Sequence, residues 1–380
     1  MHRNLHYGAL LGICACAVAA FAAVSLPRAI VIEGADPAAA SSTATSTGAP
    51  SGTSSAPQTP PAPRTPIDKA AYDAKMLDIA NLTIVRHVKT IKGTSSTPTS
   101  TIVTTSTTPL GWPVKAAYPN TGALLPFNRI VAYYGNFYST QMGVLGQYPE
   151  AEMVARLAST TAAWAAADPT TPVIPAVDYI AVTAQASAGS DGKYRARMPD
   201  DQIEKAVRIA NEIKGIVVLD VQVGLSNVQT EVPLLGDYLK LPNVHLALDP
   251  EFAMHGKEAP GTVIGTLDAK DINFAANYLA DLVRKNNLPP KILIIHRFTQ
   301  AMVTNARNIT PLPEVQIVMD MDGFGSPSKK LGTYTYFIQA EPVQFTGFKL
   351  FYKNDVRAGH IMTPEEVLEL SPQPAFIQYQ

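Results

Sequence analysis

At 380 residues, with 30 Lys+Arg against 31 Asp+Glu and a formal net charge of −1, the chain carries no basic footprint, and no nucleic-acid partner is expected. Its two cysteines, Cys14 and Cys16, both lie in an N-terminal apolar run, which excludes a disulfide framework or a cysteine metal site in the rest of the chain. Charged residues reach only 16% because the first third is dominated by Ala, Ser, Thr and Pro.

His2, Arg3 and His6 precede an apolar stretch from Ala9 to about Leu26 that ends in small residues. Residues 1–29 therefore read as an export signal cleaved within Ala22–Ala29, or as a retained anchor of roughly 18 apolar residues. The chain is expected outside the cytoplasm, secreted or anchored at the cell surface, with this segment as its contact to the cell envelope. Residues 30–66 form an Ala/Ser/Thr/Pro tract too polar to bury a core, expected to be a disordered spacer. Residues 67–125 form an N-terminal extension. In it, Thr65-Pro66-Ile67-Asp68 supplies a cap and an N1 proline for a short helix ending near Ala80, and a Ser/Thr run, Thr94–Pro109, follows. Asn81-Leu82-Thr83 and Asn308-Ile309-Thr310 match a glycosylation sequon.

Residues 126–380 hold eight short apolar runs: Asn128–Asn136, Val173–Val182, Gly215–Gln222, Val244–Asp249, Lys291–Arg297, Val315–Asp322, Thr346–Tyr352 and Ala375–Gln380. Helical stretches separate them, among them Glu150–Ala167, a stretch opened by Pro199-Asp200-Asp201 and closed by Gly215, and Thr266–Lys285. Strands alternating with helices at this count predict an α/β fold, a (β/α)8 TIM barrel, whose strand ends gather around one mouth. A monomer is expected, with no cofactor.

Chemistry is then sought at the last residues of each run. Asp249 and Glu251 close the fourth run two positions apart, so extended backbone would place them on one face, with Pro250 where the ladder ends. Both are candidate catalytic carboxylates, with Asp249 as a loop cap the plainer alternative. Asp220 ends the third run and Asp320 the sixth, each a second candidate carboxylate or a structural acceptor of loop N–H groups. Gln222, Asp322 and Gln378 share these strand ends as candidate substrate-binding groups, joined by Tyr133 and Asn136 at the first strand. Lys349 sits within Thr346-Gly347-Phe348-Lys349-Leu350-Phe351, and a strand buried on both faces should turn an ammonium inward toward carboxylates of strands four or six. His296 and Arg297 alternate, so one of them faces the mouth; His296 is either a hydroxyl ligand or a satisfied wall histidine. The Asp-Gly turn in Gly189–Arg195 is expected to fold over the opening. No histidine pair has ligand spacing, so no metal is expected.

An exported barrel with carboxylates at its strand ends resembles a glycoside hydrolase-type TIM barrel. The resemblance spans about Phe127–Gln380 and rests on Ala132-Tyr133-Tyr134-Gly135-Asn136 and Leu246-Ala247-Leu248-Asp249-Pro250-Glu251. The second stretch is similar to the fourth strand of chitinase-type barrels, D-x-x-D-x-D-x-E, with Val244 and Ala247 where two of the acids would stand. The resemblance implies a cell-wall or extracellular polysaccharide as partner. Glu251 would protonate the leaving oxygen, and Asp249, Asp320 or Asp220 would act as base, nucleophile or orienting group. No acid ends the seventh run before Asp355, which equally suits a non-catalytic surface module that binds glycans or serves as a scaffold.

Overall fold

In this computed structural model the described residues are 67–81, 83–91, 99–107 and 111–380. The export segment and spacer expected from the sequence lie outside them. Among the described residues, no helix is long and apolar enough to cross a membrane.

Eight parallel strands form the barrel: β1 (Arg129–Gly135), β2 (Val173–Ala184), β3 (Ile216–Val221), β4 (Val244–Leu248), β5 (Lys291–Arg297), β6 (Val315–Met321), β7 (Phe345–Leu350) and β8 (Phe376–Tyr379). Each pairs with its sequence neighbours, and β8 pairs with β1 through Phe376↔Ile130 and Tyr379↔Tyr133, which closes the ring. The eight apolar runs of the sequence thus become the eight staves. Helices Glu150–Ala167, Asp200–Glu212 and Ala269–Asn286 cover the outside, where the stretches of helical period lie. Asp268 and Asp271 start the last of these with a reciprocal capping box. The β5–β6 connection departs from the regular pattern, being built from two 3₁₀ turns, Gln300–Met302 and Ala306–Asn308, with no α-helix.

Side-chain parity divides the barrel into two cores. Outward residues such as Val131, Val177, Leu219, Leu246, Leu293 and Ile317 pack under the helices, together with Leu157, Trp164 and Leu279. Inward residues Ile130, Ala176, Val218, Ile294, Val318 and Phe376 fill the lower barrel. The helix Lys69–Ala80 belongs to this inner core through Tyr72, Met76 and Ile79, so it plugs the floor. Each such fully buried side chain contributes about 1.5–3 kcal/mol of burial. The sequence placed this helix but not its cap. Asp68, not Thr65, is the N-cap, its Oδ1 accepting from Ala71 N–H at 3.0 Å. Two strands, Thr83–Ile91 and Thr99–Thr107, pair antiparallel where the sequence offered only a Ser/Thr run. Asn81, the first sequon residue, donates to the Leu368 and Leu370 carbonyls, so a glycan there would cost the helix that anchor.

Candidate active site

Above the apolar floor, every strand turns one or two polar side chains inward. They are Tyr134 on β1, Asp178 on β2, Asp220 on β3 with Gln222 just past it, and Asp249 just past β4. His296 on β5, Asp320 on β6 with Asp322 just past it, Lys349 on β7 and Gln378 on β8 complete the ring. Alternation dictates this: from inward Val218, Ile294, Val318 or Phe376 a step of two leads to one of these groups, and from Ile130 two such steps, through Ala132, lead to Tyr134.

The ring is knitted by charge. His296 offers Nε2 to Asp220 Oδ2 at 3.0 Å and Nδ1 to Asp320 Oδ2 at 3.1 Å. Burial alone would lower its pKa, but the hydrogen bonds to Asp220 and Asp320 carry it well above the ordinary imidazole value, so it stands as a fixed imidazolium. Lys349 Nζ lies 3.0 Å from Asp322 Oδ1 and 4.0 Å from the centre of the Tyr134 ring, an ion pair with a cation–π contact. Burial opposes its charge, and Asp322, Asp249 and Asp320 outweigh burial and raise its pKa. Gln222 Nε2 donates to Tyr134 Oη at 3.1 Å and to Asp249 Oδ2 at 3.2 Å. Gln378 Nε2 donates to Asp178 Oδ2 at 2.5 Å.

The carboxylates differ in environment. Burial, then the neighbouring Asp220, pushes Asp249 up to about 7. The same two causes raise Asp178 well above the carboxylate range, and burial raises Asp320 against the pull of His296. The residual opening lies over Asp322, 8% exposed, Gln222 at 4% and Asp249 at 3%, whereas Asp178, Asp220, His296 and Asp320 are at 0%. Half-buried Phe298 directly follows β5, and half-buried Phe252 and Phe324 lie within four residues past β4 and β6, giving this end a phenylalanine rim.

Several expectations change. Asp249 and Glu251 do not share an extended face, because the chain turns into a 3₁₀ helix over Pro250–Phe252. Asp249 Oδ1 caps that turn from Glu251 N–H at 3.1 Å while its Oδ2 stays with the ring. Glu251 sits on the turn, half-buried. Tyr133 faces the helix layer, bonded to Thr160 and Tyr352, and Tyr134 is the inward tyrosine. Asn136 is spent on Ile180 O and Tyr138 N–H, holding the loop after β1. Arg195 belongs to a short strand, Arg195–Arg197, paired with the end of β2, and its guanidinium joins Glu231 and Asp191, while Lys193 O accepts from Leu225 N–H, so that loop is tied to the segment after β3. Tyr134, Asp178 and the phenylalanine rim are not among the site residues expected from the sequence. Parity would have found the first two, since a mid-strand aspartate in a strand buried on both faces has nowhere polar to go but inward.

One glycine completes the construction. A Cβ on Gly347 of β7 would lie 2.4 Å from Asp320 Oδ1, so the missing side chain is the notch that holds this carboxylate against His296. Gly347→Ala is expected to displace Asp320, cost about 1–3 kcal/mol of stability and lower any activity of the ring. Chemical unfolding together with the His296 imidazole proton resonances checks it; unchanged resonances would remove the notch from the design.

No protein-family model matches the chain, and no curated protein matches it either. Among solved structures, it is similar to a GH5-4 broad specificity endoglucanase from Clostridium longisporum at 9% identity, over 55% of this chain and 71% of that one, with a TM-score of 0.32. It is also similar to a Bacteroides ovatus GH5 xyloglucanase in complex with a XXXG heptasaccharide at 10% identity, over 78% and 80%, with a TM-score of 0.33. A ruminal GH26 endo-beta-1,4-mannanase gives 11% identity, 67% and 59%, and a TM-score of 0.33. Likenesses this slight carry no weight for function, and the barrel stands on its own strand register.

Proposed function

We propose that this chain is an exported barrel of glycoside-hydrolase type, held at the cell envelope by its N-terminal apolar segment, that cleaves a cell-wall or extracellular polysaccharide. The observation that carries this reading is the pairing, under one opening, of a proton-holding Asp249 with an Asp322 carboxylate kept beside an ammonium. Glycosidic cleavage uses two carboxyls in different roles: one protonates the leaving oxygen, and the other attacks or activates water. Asp249 takes the first role and Asp322 the second. Asp220 and Asp320 are committed to His296 and act as positioning groups. Gln222 holds the Asp249 carboxyl in place, and the phenylalanine rim offers apolar faces to the C–H sides of sugar rings.

The test is release of reducing ends from cell-wall and extracellular polysaccharides by wild type, Asp249→Asn and Glu251→Gln. Loss in the first with retention in the second supports the assignment. Full activity in Asp249→Asn overturns it, and loss confined to Glu251→Gln returns the acid to the turn. A second reading, a non-catalytic glycan-binding or scaffold barrel, is favoured by the complete burial of Asp178, Asp220, His296 and Asp320. Glycan binding by wild type with no turnover would select it.

A further inference from the structure

The hydrogen-bond balance inside the ring is lopsided. Asp178 Oδ1, Asp220 Oδ1, Asp320 Oδ1 and Gln378 Oε1 are buried without a hydrogen-bond partner among the described residues, and each can accept, Asp178 Oδ1 once its proton has left. The donors that face them are already committed. Gln378 Nε2 is on Asp178, both nitrogens of His296 are on Asp220 and Asp320, Gln222 Nε2 is shared by Tyr134 and Asp249, and Lys349 is on Asp322. Unmet buried acceptors are costly, so together they call for a donor-rich occupant. A neutral sugar hydroxyl brings lone pairs along with each proton, and the carboxylate of a uronate brings acceptors alone. A primary ammonium brings three donors and no acceptor. Composition agrees: the ring holds five aspartyl side chains and two basic ones, His296 and Lys349, so an added cation would find carboxyls able to give up their protons to it. A metal ion is the other occupant that brings no acceptor, but no group of three or more His, Cys, Asp or Glu among the described residues is arranged to hold one.

We infer that the ring recognises a primary ammonium on its substrate, which makes amino sugars with free amines, rather than N-acetylated or uronate glycans, the preferred class. This rests on the glycan-active reading above and narrows it. The raised carboxyls add a signature, because a bound ammonium should draw protons off Asp178 and Asp249.

The test is calorimetric titration of the full chain at pH 7 with four probes: a glucosamine oligomer, its N-acetylated counterpart, a glucuronate oligomer and spermidine. The glucosamine oligomer is expected to bind at least tenfold tighter than the acetylated one, with net proton release read from the buffer dependence of the enthalpy. Asp178→Asn should shrink that preference at least threefold, and the proton release, measured on wild type, stands even if that variant folds poorly. Equal or tighter binding of the acetylated or uronate oligomer overturns the inference and leaves the glycan reading intact. Tight binding of spermidine alone supports the ammonium site and overturns the glycan reading. Binding by none of the four overturns both.

Discussion

Asp249→Asn is expected to lower kcat by about 10²–10⁴ while leaving glycan affinity within a few-fold, because a positioned general acid acts only as the leaving oxygen gains its proton. The pH profile makes the assignment specific. With Asp249 raised to about 7, its acid form is held below that pH and lost above it, so wild-type kcat should fall about tenfold per pH unit on the alkaline side. The variant should lack that limb. Stability moves the other way round and separates the two effects. The unfolded chain gives up the Asp249 proton near 3.8 and the folded chain near 7, so between those values the folded state binds more protons, and this group costs stability as pH rises. Asparagine removes that cost and keeps an oxygen for the cap on Glu251 N–H. An inactive variant with a melting temperature at pH 7 no lower than wild type would therefore place the loss in the chemistry. A residual alkaline limb near pH 7 in the variant would assign the titration to another group.

The barrel was legible because each of its strands is a short apolar run with turn or helix signals on both sides, and closure follows from the count. The sequence also led to Lys349 and its acidic neighbourhood, since the cost of an ammonium in a doubly buried strand leaves one direction to point. What stayed hidden depends on where straight backbone stops. Asp249 and Glu251 share a face only if the strand runs on, and Pro250 opens a 3₁₀ turn instead, which gives Asp249 both the cap and the place in the ring. Tyr133 and Tyr134 are chemically alike, and only the parity set by Ile130 and Ala132 tells them apart. The Gly347 notch is invisible in principle: its meaning lies in Asp320 on the neighbouring strand, a register fact. The β5–β6 connection lost its expected helix because 298–314 contains Pro311 and Pro313 and breaks into 3₁₀ turns.

Asp355, the acid the seventh run seemed to lack at its end, is expected to matter for folding rather than chemistry, and Asp355→Ala should cost about 3–5 kcal/mol. Its Oδ2 meets the buried Lys330 ammonium at 3.0 Å and accepts from Phe351 N–H, and its Oδ1 accepts from Gly325 N–H. Lys330 in turn donates to the carbonyls of Gly323 and Lys349. The pair therefore ties the loop after β6 to the end of β7, the two segments that carry Asp322 and Lys349. An apolar double replacement, often neutral for a buried ion pair, should stay costly here because it would orphan four backbone groups. In a barrel of this size the single change corresponds to a fall in melting temperature of about 6–20 °C. Burial lowers Lys330 from 10.5 to about 8 despite Asp355, so the unfolded chain holds more protons between those values and this lysine's share of wild-type stability rises with pH there. The alanine variant loses its partner for the charged form, which exists in the folded state only below about 8. Its deficit against wild type should accordingly be widest below pH 8 and narrow above it, as read from melting curves across that range. A deficit that is small or constant with pH would reduce the pair to a surface-like bridge and leave the Asp322–Lys349 geometry without this support.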